Sequence, residues 1–270
     1  MSNLDELKYW IAERWNVYHL KQQHQPKPWS DNKVFQETYF CNVHRENDKV
    51  TKWIRGHYNI DLDLMPEFNM ILARFVNKPS SLDQMGWPFD KWGIPQQARF
   101  ELWMGQPGAW GSAYIVSTNG RSMPKHEYIS GLLTAALEQC EQVGKANTCL
   151  AAHVALQRIS GLASFMAAQV VADLKNTKGH PLNTAEDWWT FVAPGPGSLR
   201  GMAWVLEWEK CSPKEFMDGM VWLRHEIDEW LPESIPKFCN QDLQNCLCEF
   251  DKFMRVTKGT GKSKRKYAGA

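Results

Sequence analysis

Apolar residues along this chain recur mainly at three- and four-residue intervals, the spacing of one face of an α-helix. One such stripe contains Leu4, Leu7, Ile11 and Tyr18, and Asn3 with Glu6 predicts a capping box at its start. We expect further helices to begin near Asn32, Asp48, Asp63, Lys125, Thr148, Ser198, Ser212 and Gln241. No alternation of strand and helix patterns and no fixed-period repeat is visible, so the sequence predicts an all-α fold.

Only residues 105–121 depart from the helical spacing. Their Gly, Pro and Ser content predicts a loop or, at most, one short β-hairpin around residues 113–116. Because no long linker interrupts the rest, we expect a single helical domain over residues 1–257, followed by a flexible basic tail over 258–270. The tail contains Lys258, Lys262, Lys264, Arg265 and Lys266. Such a tail suits DNA phosphates, and a solubilising terminus explains the same composition equally well.

The composition limits the classes of partner. The formal net charge is only +1, so any nucleic-acid surface must arise from the placement of charges rather than from their total. Fourteen Trp residues are many for 270 residues; most should be core, and some suit stacking on bases. Seven scattered Cys predict reduced thiols. With no long apolar run and a charged N-terminus, we expect a cytoplasmic protein with no membrane partner.

Residues 156–168 have the spacing of a helix-hairpin-helix, two helices around a tight turn. In that motif, backbone N–H groups of the turn and of the next helix hold a DNA phosphate, and small residues allow the close approach. Gly161 fits this pattern, whereas Ala163 replaces the usual second Gly. These residues alone are equally compatible with an ordinary turn between helices.

Two carboxylates follow the hairpin. Asp187 lies 22 residues beyond Phe165, after a second helix and a loop. This resembles the helix-hairpin-helix DNA glycosylases, in which an Asp beyond the hairpin points into the pocket of the flipped base; the gap here is a few residues longer. Asp173, on the second helix, is an alternative, although an Asp there also serves to brace the next turn.

Two further segments combine polar groups with a helix start. The run Gly195-Pro196-Gly197-Ser198-Leu199-Arg200-Gly201 predicts a loop opening onto a helix capped by Ser198, which suits phosphate or pyrophosphate beside Arg200. The other segment, residues 40–54, carries Arg45, Asn47 and Asp48 as candidate pocket groups. An ordinary capped helix explains either segment as well.

The last helical stretch places Glu249, Lys252 and Arg255 within two turns. Glu249 and Lys252 are three residues apart, so a surface ion pair is the simpler interpretation. Cys239 and Cys246 have the spacing that opens the iron–sulfur loop of some glycosylases. Cys248 then comes one residue too early and no fourth Cys follows, so we expect no iron–sulfur cluster.

Taken in order, these segments resemble the α-glutamyl/putrescinyl-thymine pyrophosphorylases, or amino acid:DNA transferases, relatives of the helical domain of 5-hydroxymethyluracil DNA kinases. The resemblance rests on residues 45–53, 161–174, 195–201 and 247–252, and residues 27–31 are similar to the opening of that family. It implies a glycosylase-like catalytic domain that modifies bacteriophage DNA in the host cytoplasm. A kinase would first convert hydroxymethyluracil into a pyrophosphate ester, and the transferase would then replace pyrophosphate with an amine. No phosphate-binding loop precedes the helical body, which favours the stand-alone transferase.

The resemblance assigns expected roles. Asp187 is the candidate general base, with Asp173 and Glu249 as alternatives. The substrate and its pyrophosphate would be bound by Arg45, Asn47, Asp48, Trp53, Ser198, Arg200 and Lys252. Duplex DNA would be bound by Gly161, Ala163, Ser164, Lys258, Lys262 and Lys264. The sequence requires no cofactor, although a divalent cation is compatible with it; the expected partners are duplex DNA with modified thymine, a small amine such as glycine, and a DNA kinase.

Two other functions fit the same residues. A DNA glycosylase that cleaves the base–sugar bond of a modified pyrimidine shares the hairpin and the Asp, but leaves the segment 195–201 without an evident purpose. In a non-catalytic DNA-binding module, the same polar groups would only hold the DNA backbone.

Overall fold

In a computed structural model, the structure describes residues 2–59, 61, 65–113 and 116–261. These residues form α-helices and two 3-10 turns (Arg45–Asn47 and Pro181–Thr184), with no strand among them, which confirms the all-α prediction. The helices are α1 Asn3–Gln22, α2 Lys33–Glu37, α3 Lys49–His57, α4 Pro66–Val76, α5 Pro79–Gln84, α6 Ile94–Met104, α7 Lys125–Gly144, α8 Cys149–Leu156, α9 Ser164–Lys175, α10 Pro196–Val205, α11 Pro213–Trp230 and α12 Asn240–Thr257.

Side-chain caps explain several of the helix starts. Asn32, Thr148 and Ser212 cap α2, α8 and α11 as their sequence positions predict. The capping box of α1 is formed by Ser2 and Asp5, one residue before the expected Asn3 and Glu6. The prediction was wrong by one residue because both registers place a short polar side chain three residues before an acid.

Helices α5 and α6 were not predicted from the sequence. Each begins with Pro in its first turn, which is favourable at a helix start but interrupts an apolar pattern. In α6, the apolar residues Ile94 and Leu102 are 81% and 65% exposed, whereas Phe100 and Met104 are buried. Apolar spacing therefore does not mark the buried face of this helix.

The chain forms two compact units. The first comprises Met1–Asp48 and Val192–Ala270, and the second comprises Lys49–Phe191. That residues 1–257 act as one catalytic domain stays a prediction.

The first unit is built around α12, with α10 packed closely along it. Gly197 and Gly201 make this approach possible, because a Cβ on Gly201 would collide with the backbone carbonyl of Leu247 and one on Gly197 with the Cys248 sulfur. The core of the unit contains large aromatic side chains from α1, α11, α12 and the connecting segments, among them Trp10, Phe40, Phe216, Phe238 and Phe250.

The second unit is built around α4, whose residues from Phe68 to Val76 are all buried. Helices α7 and α9 pack against it, and α8 packs against both. Residues 105–113 and 116–121 form turns and bends, in agreement with the predicted loop; residues 114 and 115, at the centre of the suggested hairpin, lie outside the described residues. None of the helices in the described parts has the length and apolarity needed to cross a membrane.

Candidate functional site

Two sequence-predicted segments of the first unit meet where the loop 39–48 lies along α12. The backbone N–H of Cys41 donates to Glu249 Oε2 at 3.0 Å. The neighbouring N–H of Asn42 donates to Asp48 Oδ1 at 3.1 Å, and the Asn42 side chain donates to the same oxygen at 3.0 Å. Two carboxylates, one from each segment, are thus held by consecutive peptide groups.

Two cations, Arg14 and Lys252, lie beside these carboxylates. We call Arg14, Asp48, Glu249 and Lys252 together the carboxylate cluster. Lys252 Nζ lies 2.5 Å from Glu249 Oε2 and donates to the Tyr39 carbonyl at 2.9 Å. Arg14 is only 2% exposed; it donates to the Cys41 carbonyl at 3.0 Å and makes a short hydrogen bond to Asn42 Oδ1. Its Nη1 is buried without a hydrogen-bond partner among the described residues.

The electrostatics of the cluster raise the proton affinity of Asp48. Burial raises the pKa of the Asp48 carboxyl, and the nearby Glu249 raises it further, against the lowering effects of the Asn42 hydrogen bond and of Arg45 and Arg14. Burial, followed by Glu249 and Asp48, raises the pKa of the Cys41 thiol well above its usual value. Asp48 is therefore a stronger proton acceptor than an ordinary Asp, and Cys41 is a neutral thiol.

Arg45 and Asn47 hold the loop in place. The Arg45 backbone N–H donates to Asp242 Oδ1 at 2.9 Å, and the Tyr18 hydroxyl hydrogen-bonds to Asn47 Oδ1 at 3.1 Å. The Asn47 carbonyl accepts from the Asn42 side chain at 2.9 Å. Their expected contact with substrate stays a prediction, but these bonds fix the backbone that positions Asp48.

A second feature of the first unit is a cleft of about 640 Å³ beside α10 and α12, which we call the tryptophan cleft. Its walls are formed by aromatic, cationic and small apolar residues: Pro196, Leu199, Arg200, Ala203, Trp204, Trp208, Glu209, Lys210, Cys211, Asp251, Arg255 and Thr260. Trp208 is 48% exposed, so a planar ligand can reach its ring.

The buried Asp251 organises the cleft. Arg200 places both Nε and Nη2 at 3.0 Å from Asp251 Oδ2, and Arg255 Nε lies 3.2 Å from each carboxylate oxygen. The Trp204 indole N–H also donates to Asp251, at 3.3 Å. One carboxylate therefore fixes two guanidinium groups, and the Arg200 side chain is still 54% exposed. Two fixed guanidinium groups suit a phosphate or pyrophosphate ligand.

Ser198 does not cap α10 as the sequence predicted. The helix begins three residues earlier than that cap implies, at Pro196, and Gly195 is its N-cap. The Ser198 hydroxyl is fully buried and hydrogen-bonds within the turn to the N–H and carbonyl of Gly195, each at 3.0 Å. Pro at the first helical position is favourable, which explains the earlier start. The structure assigns Ser198 a part in shaping the turn; binding of pyrophosphate by Ser198 stays a prediction.

Cys248 lies between the two features. Burial raises the pKa of its thiol to about 11, with a further increase from Glu249 and smaller effects from Lys252, Asp251 and Arg200. On α12, Cys248 directly precedes Glu249 of the carboxylate cluster and lies three residues before Asp251 of the tryptophan cleft. The two features occupy adjoining faces of α12.

In the second unit, Asp173 is completely buried in an ion-pair network. Arg74 Nε lies 2.5 Å from Asp173 Oδ2 and Arg74 Nη2 lies 2.7 Å from Oδ1, while Arg55 Nη2 lies 3.4 Å from Oδ1. Arg74 also donates to the Thr51 hydroxyl at 3.0 Å. This network gives Asp173 a structural function in the core; a catalytic function stays a prediction.

Asp187, the predicted general base, lies at the start of α8. Its two carboxylate oxygens accept the backbone N–H groups of Cys149 and Leu150 at 2.8 and 2.9 Å. Thr148 accepts the N–H of Ala151, so the first three N–H groups of α8 are all paired. The contacts of Asp187 explain its position without catalysis, and its predicted catalytic role remains untested.

The predicted hairpin corresponds to α8 and α9, with the turn between them. Gly161 has φ +89°, which favours glycine, and its backbone packs against Leu132 and Phe75. The N-cap of α9 is Ala163, without a side-chain hydrogen bond. Two helices and a turn lie at these positions; that they form a helix-hairpin-helix, and that Gly161, Ala163 and Ser164 bind DNA, stay predictions.

The remaining predicted site residues have separate environments. Trp53, in the second unit, stacks on His57 with ring centroids 4.0 Å apart. In the first unit, Lys258 Nζ lies 4.6 Å from the centre of the Trp204 ring, and Thr260, two residues further, lines the tryptophan cleft. Lys262 and Lys264 lie outside the described residues.

Sequence reasoning missed Arg14, Asp251 and the pair Trp204 and Trp208. Arg14 gave a usable signal, because it falls between Ile11 and Val17 on the apolar face of α1, where an unpaired charge is costly. Asp251 gave none, since an acid four residues before Arg255 is also typical of an exposed helix face.

The first unit therefore belongs to an all-helical protein with a cationic, aromatic cleft next to a cluster of carboxylates, a combination suited to a phosphorylated planar ligand. Residues 2–263 match the protein family described as "5-hmdU DNA kinase, helical domain". The chain belongs to this family, which relates it to the helical part of enzymes that modify 5-hydroxymethyluracil DNA. No curated protein and no solved structure matches it significantly.

Proposed function

We propose that the protein modifies thymine-derived bases in phage DNA by transferring an amine, with glycine favoured, onto pyrophosphorylated 5-hydroxymethyluracil. The amine nitrogen bonds to the exocyclic carbon, and the carbon–oxygen bond to pyrophosphate breaks with its electron pair leaving on pyrophosphate. The observation that carries this proposal is the tryptophan cleft, where two guanidinium groups are fixed beside exposed aromatic surface. Family membership supports the choice of DNA base and a linked kinase as the source of the phosphorylated substrate.

The cleft suits the two parts of this substrate. Arg200 and Arg255 provide charge-assisted hydrogen bonds to a pyrophosphate group, and their pairing with Asp251 keeps them in place before the ligand arrives. The exposed ring of Trp208 offers a stacking surface for an extruded pyrimidine. Flipping a base out of a duplex costs on the order of a few kcal/mol, which stacking of this kind helps to offset.

The direct test is incubation with duplex DNA containing pyrophosphorylated hydroxymethyluracil and a panel of amines, followed by digestion and mass spectrometry of the nucleosides. We expect an amine-substituted thymidine and released pyrophosphate. Arg200→Gln should raise KM for this DNA about tenfold, the effect of losing roughly 1.4 kcal/mol of binding. Lys214→Gln, an exposed charge on α11, is the matched control and should have no effect.

Other outcomes would distinguish other functions. Abasic sites in the treated DNA would identify a glycosylase, and DNA binding without any product would identify a non-catalytic module. Asp187→Asn tests the predicted general base in the same assay. Unchanged turnover by that variant would remove Asp187 from the mechanism.

A further inference from the structure

We propose that the carboxylate cluster is the binding site of the amine co-substrate, in which Asp48 accepts the proton of its ammonium group. This inference rests on the proposed function and adds the location of the nucleophile. It also moves the general base from Asp187 to a residue that the sequence analysis placed only among the substrate-binding groups.

The geometry provides two carboxylates in a fixed arrangement. Asp48 Oδ1 and Glu249 Oε2 are each held by one of two consecutive backbone N–H groups, at 3.1 and 3.0 Å. Since the N–H groups belong to neighbouring residues, the two oxygens lie within about 10 Å of one another. Glu249 is also paired with Lys252, and Asp48 accepts a second hydrogen bond from the Asn42 side chain.

Arg14 gives an independent indication of a ligand. Its Nη1 is buried without an acceptor among the described residues, although Nε and Nη2 are satisfied by the loop that holds Asp48. An unsatisfied donor on a buried cation is costly, and an oxygen atom of a ligand would satisfy it. A co-substrate with both an ammonium and a carboxylate group, such as a small amino acid, would supply an oxygen for the guanidinium and a cation for the carboxylates.

The reaction needs a proton acceptor such as Asp48. A primary ammonium has no free electron pair, so Asp48 first takes one proton and becomes a carboxylic acid. The neutral amine then forms the carbon–nitrogen bond as the carbon–oxygen bond to pyrophosphate breaks. The second proton on the new nitrogen goes to Glu249 or to water, which leaves a secondary amine.

The position on α12 also fits. Glu249 and Lys252 of the carboxylate cluster and Asp251 and Arg255 of the tryptophan cleft lie within two turns of α12. The nucleophile and the pyrophosphate would therefore bind beside neighbouring turns of one helix.

The test is a comparison of two amines with Asp48→Asn in the transfer assay. Glycine is an ammonium ion at neutral pH and needs a base, whereas methoxyamine is uncharged and does not. We expect kcat with glycine to fall by roughly 10²–10⁴-fold, and kcat with methoxyamine to stay within about threefold of the unmodified protein. Equal losses with both amines, or no loss with glycine, would overturn the assignment.

Three controls keep the result interpretable. Asp218→Asn neutralises an exposed acid on α11 and should leave both amines unaffected. Affinity for the same DNA should be unchanged in Asp48→Asn. If the unmodified protein transfers neither amine, the proposed function itself is wrong, an outcome distinct from failure of the Asp48 assignment.

A further variant tests Arg14. Arg14→Lys keeps the charge but loses the planar fork, so KM for glycine should rise several-fold more than KM for methylamine, which has no carboxylate. Because the readout is a ratio between two amines on one protein, a general loss of stability does not imitate it. An equal effect on both amines would exclude Arg14 from contact with the co-substrate.

Discussion

The raised pKa of Asp48 lowers the stability of the folded protein at neutral pH and makes its carboxylate a stronger base. Its pKa is raised by burial and then by Glu249, with Arg45 and Arg14 as the cations that act against this. The folded protein therefore binds this proton more tightly than the unfolded chain does. Between the usual Asp value of 3.8 and the raised value, the contribution of Asp48 to stability falls as pH rises.

Asp48→Asn should therefore stabilise the protein at neutral pH. The Asn side-chain oxygen can still accept both hydrogen bonds from Asn42, while the cost of a buried charge is removed. We expect Tm to rise by roughly 1–3 °C at pH 7, with the difference disappearing below about pH 4. Thermal unfolding followed by circular dichroism across this pH range is the measurement, and a lower Tm at pH 7 would contradict the charge-burial argument.

Neutralising Asp173 should destabilise the protein, in contrast to neutralising Asp48, because its partner Arg74 is also buried. Asp173→Asn leaves the Arg74 guanidinium without its counter-charge, at 1% exposure, and should destabilise the protein by about 3–5 kcal/mol. Urea unfolding measures this loss, and the double variant Arg74→Met with Asp173→Leu should recover much of it. A stable Asp173→Asn protein that lacks only transfer activity would instead support the catalytic role suggested by the sequence.

At the scale of the helix, the contact of α10 with α12 depends on two glycines spaced four residues apart. Gly201→Ala would place a methyl group against the Leu247 carbonyl, which cannot move without bending α12. We expect a loss of about 2–3 kcal/mol by chemical denaturation. Gly131→Ala in α7, where a Cβ meets nothing within 4 Å, is the control and should stabilise by about 1 kcal/mol.

The partner glycine gives a sharper form of the same test. At Gly197 the obstacle is the Cys248 side chain rather than a backbone atom. Gly197→Ala should therefore be destabilising alone and largely restored by Cys248→Ala, whereas Cys248→Ala should not rescue Gly201→Ala. Rescue of both would show that the two helices separate rather than repack.

The helix starts show which parts of the fold could be predicted from the sequence. Polar caps such as Asn32, Thr148 and Ser212 mark helix starts because a short side chain must satisfy free N–H groups. The segment 195–201 was interpreted as a helix start that suits phosphate, which stays a prediction, whereas the contact of Gly197 and Gly201 with α12 was not predicted. Close packing of two helices distant in sequence leaves no local signal, so neither that contact nor the tryptophan cleft could be derived from spacing alone.

At the scale of the whole molecule, a net charge of +1 means that DNA binding must come from local groups of cations. The C-terminal end of the described residues is a candidate for such a group. Thr260 lines the tryptophan cleft, and its N–H donates to the Arg255 carbonyl at 2.9 Å. Residues 262–270 contain Lys262, Lys264, Arg265 and Lys266 and no acid. These four charges follow directly on a residue at the wall of the proposed site.

If those cations contact DNA phosphates, replacing all four by Gln should make binding less dependent on salt. Each phosphate contact contributes about 0.9 to the slope of log K against log salt concentration, so the slope should become shallower by about 3–4. Fluorescence anisotropy with a labelled duplex at several salt concentrations measures this, and replacing Lys214, Lys237 and two other exposed lysines is a control of equal charge. An unchanged slope would mean that the tail does not contact DNA phosphates and only solubilises the protein.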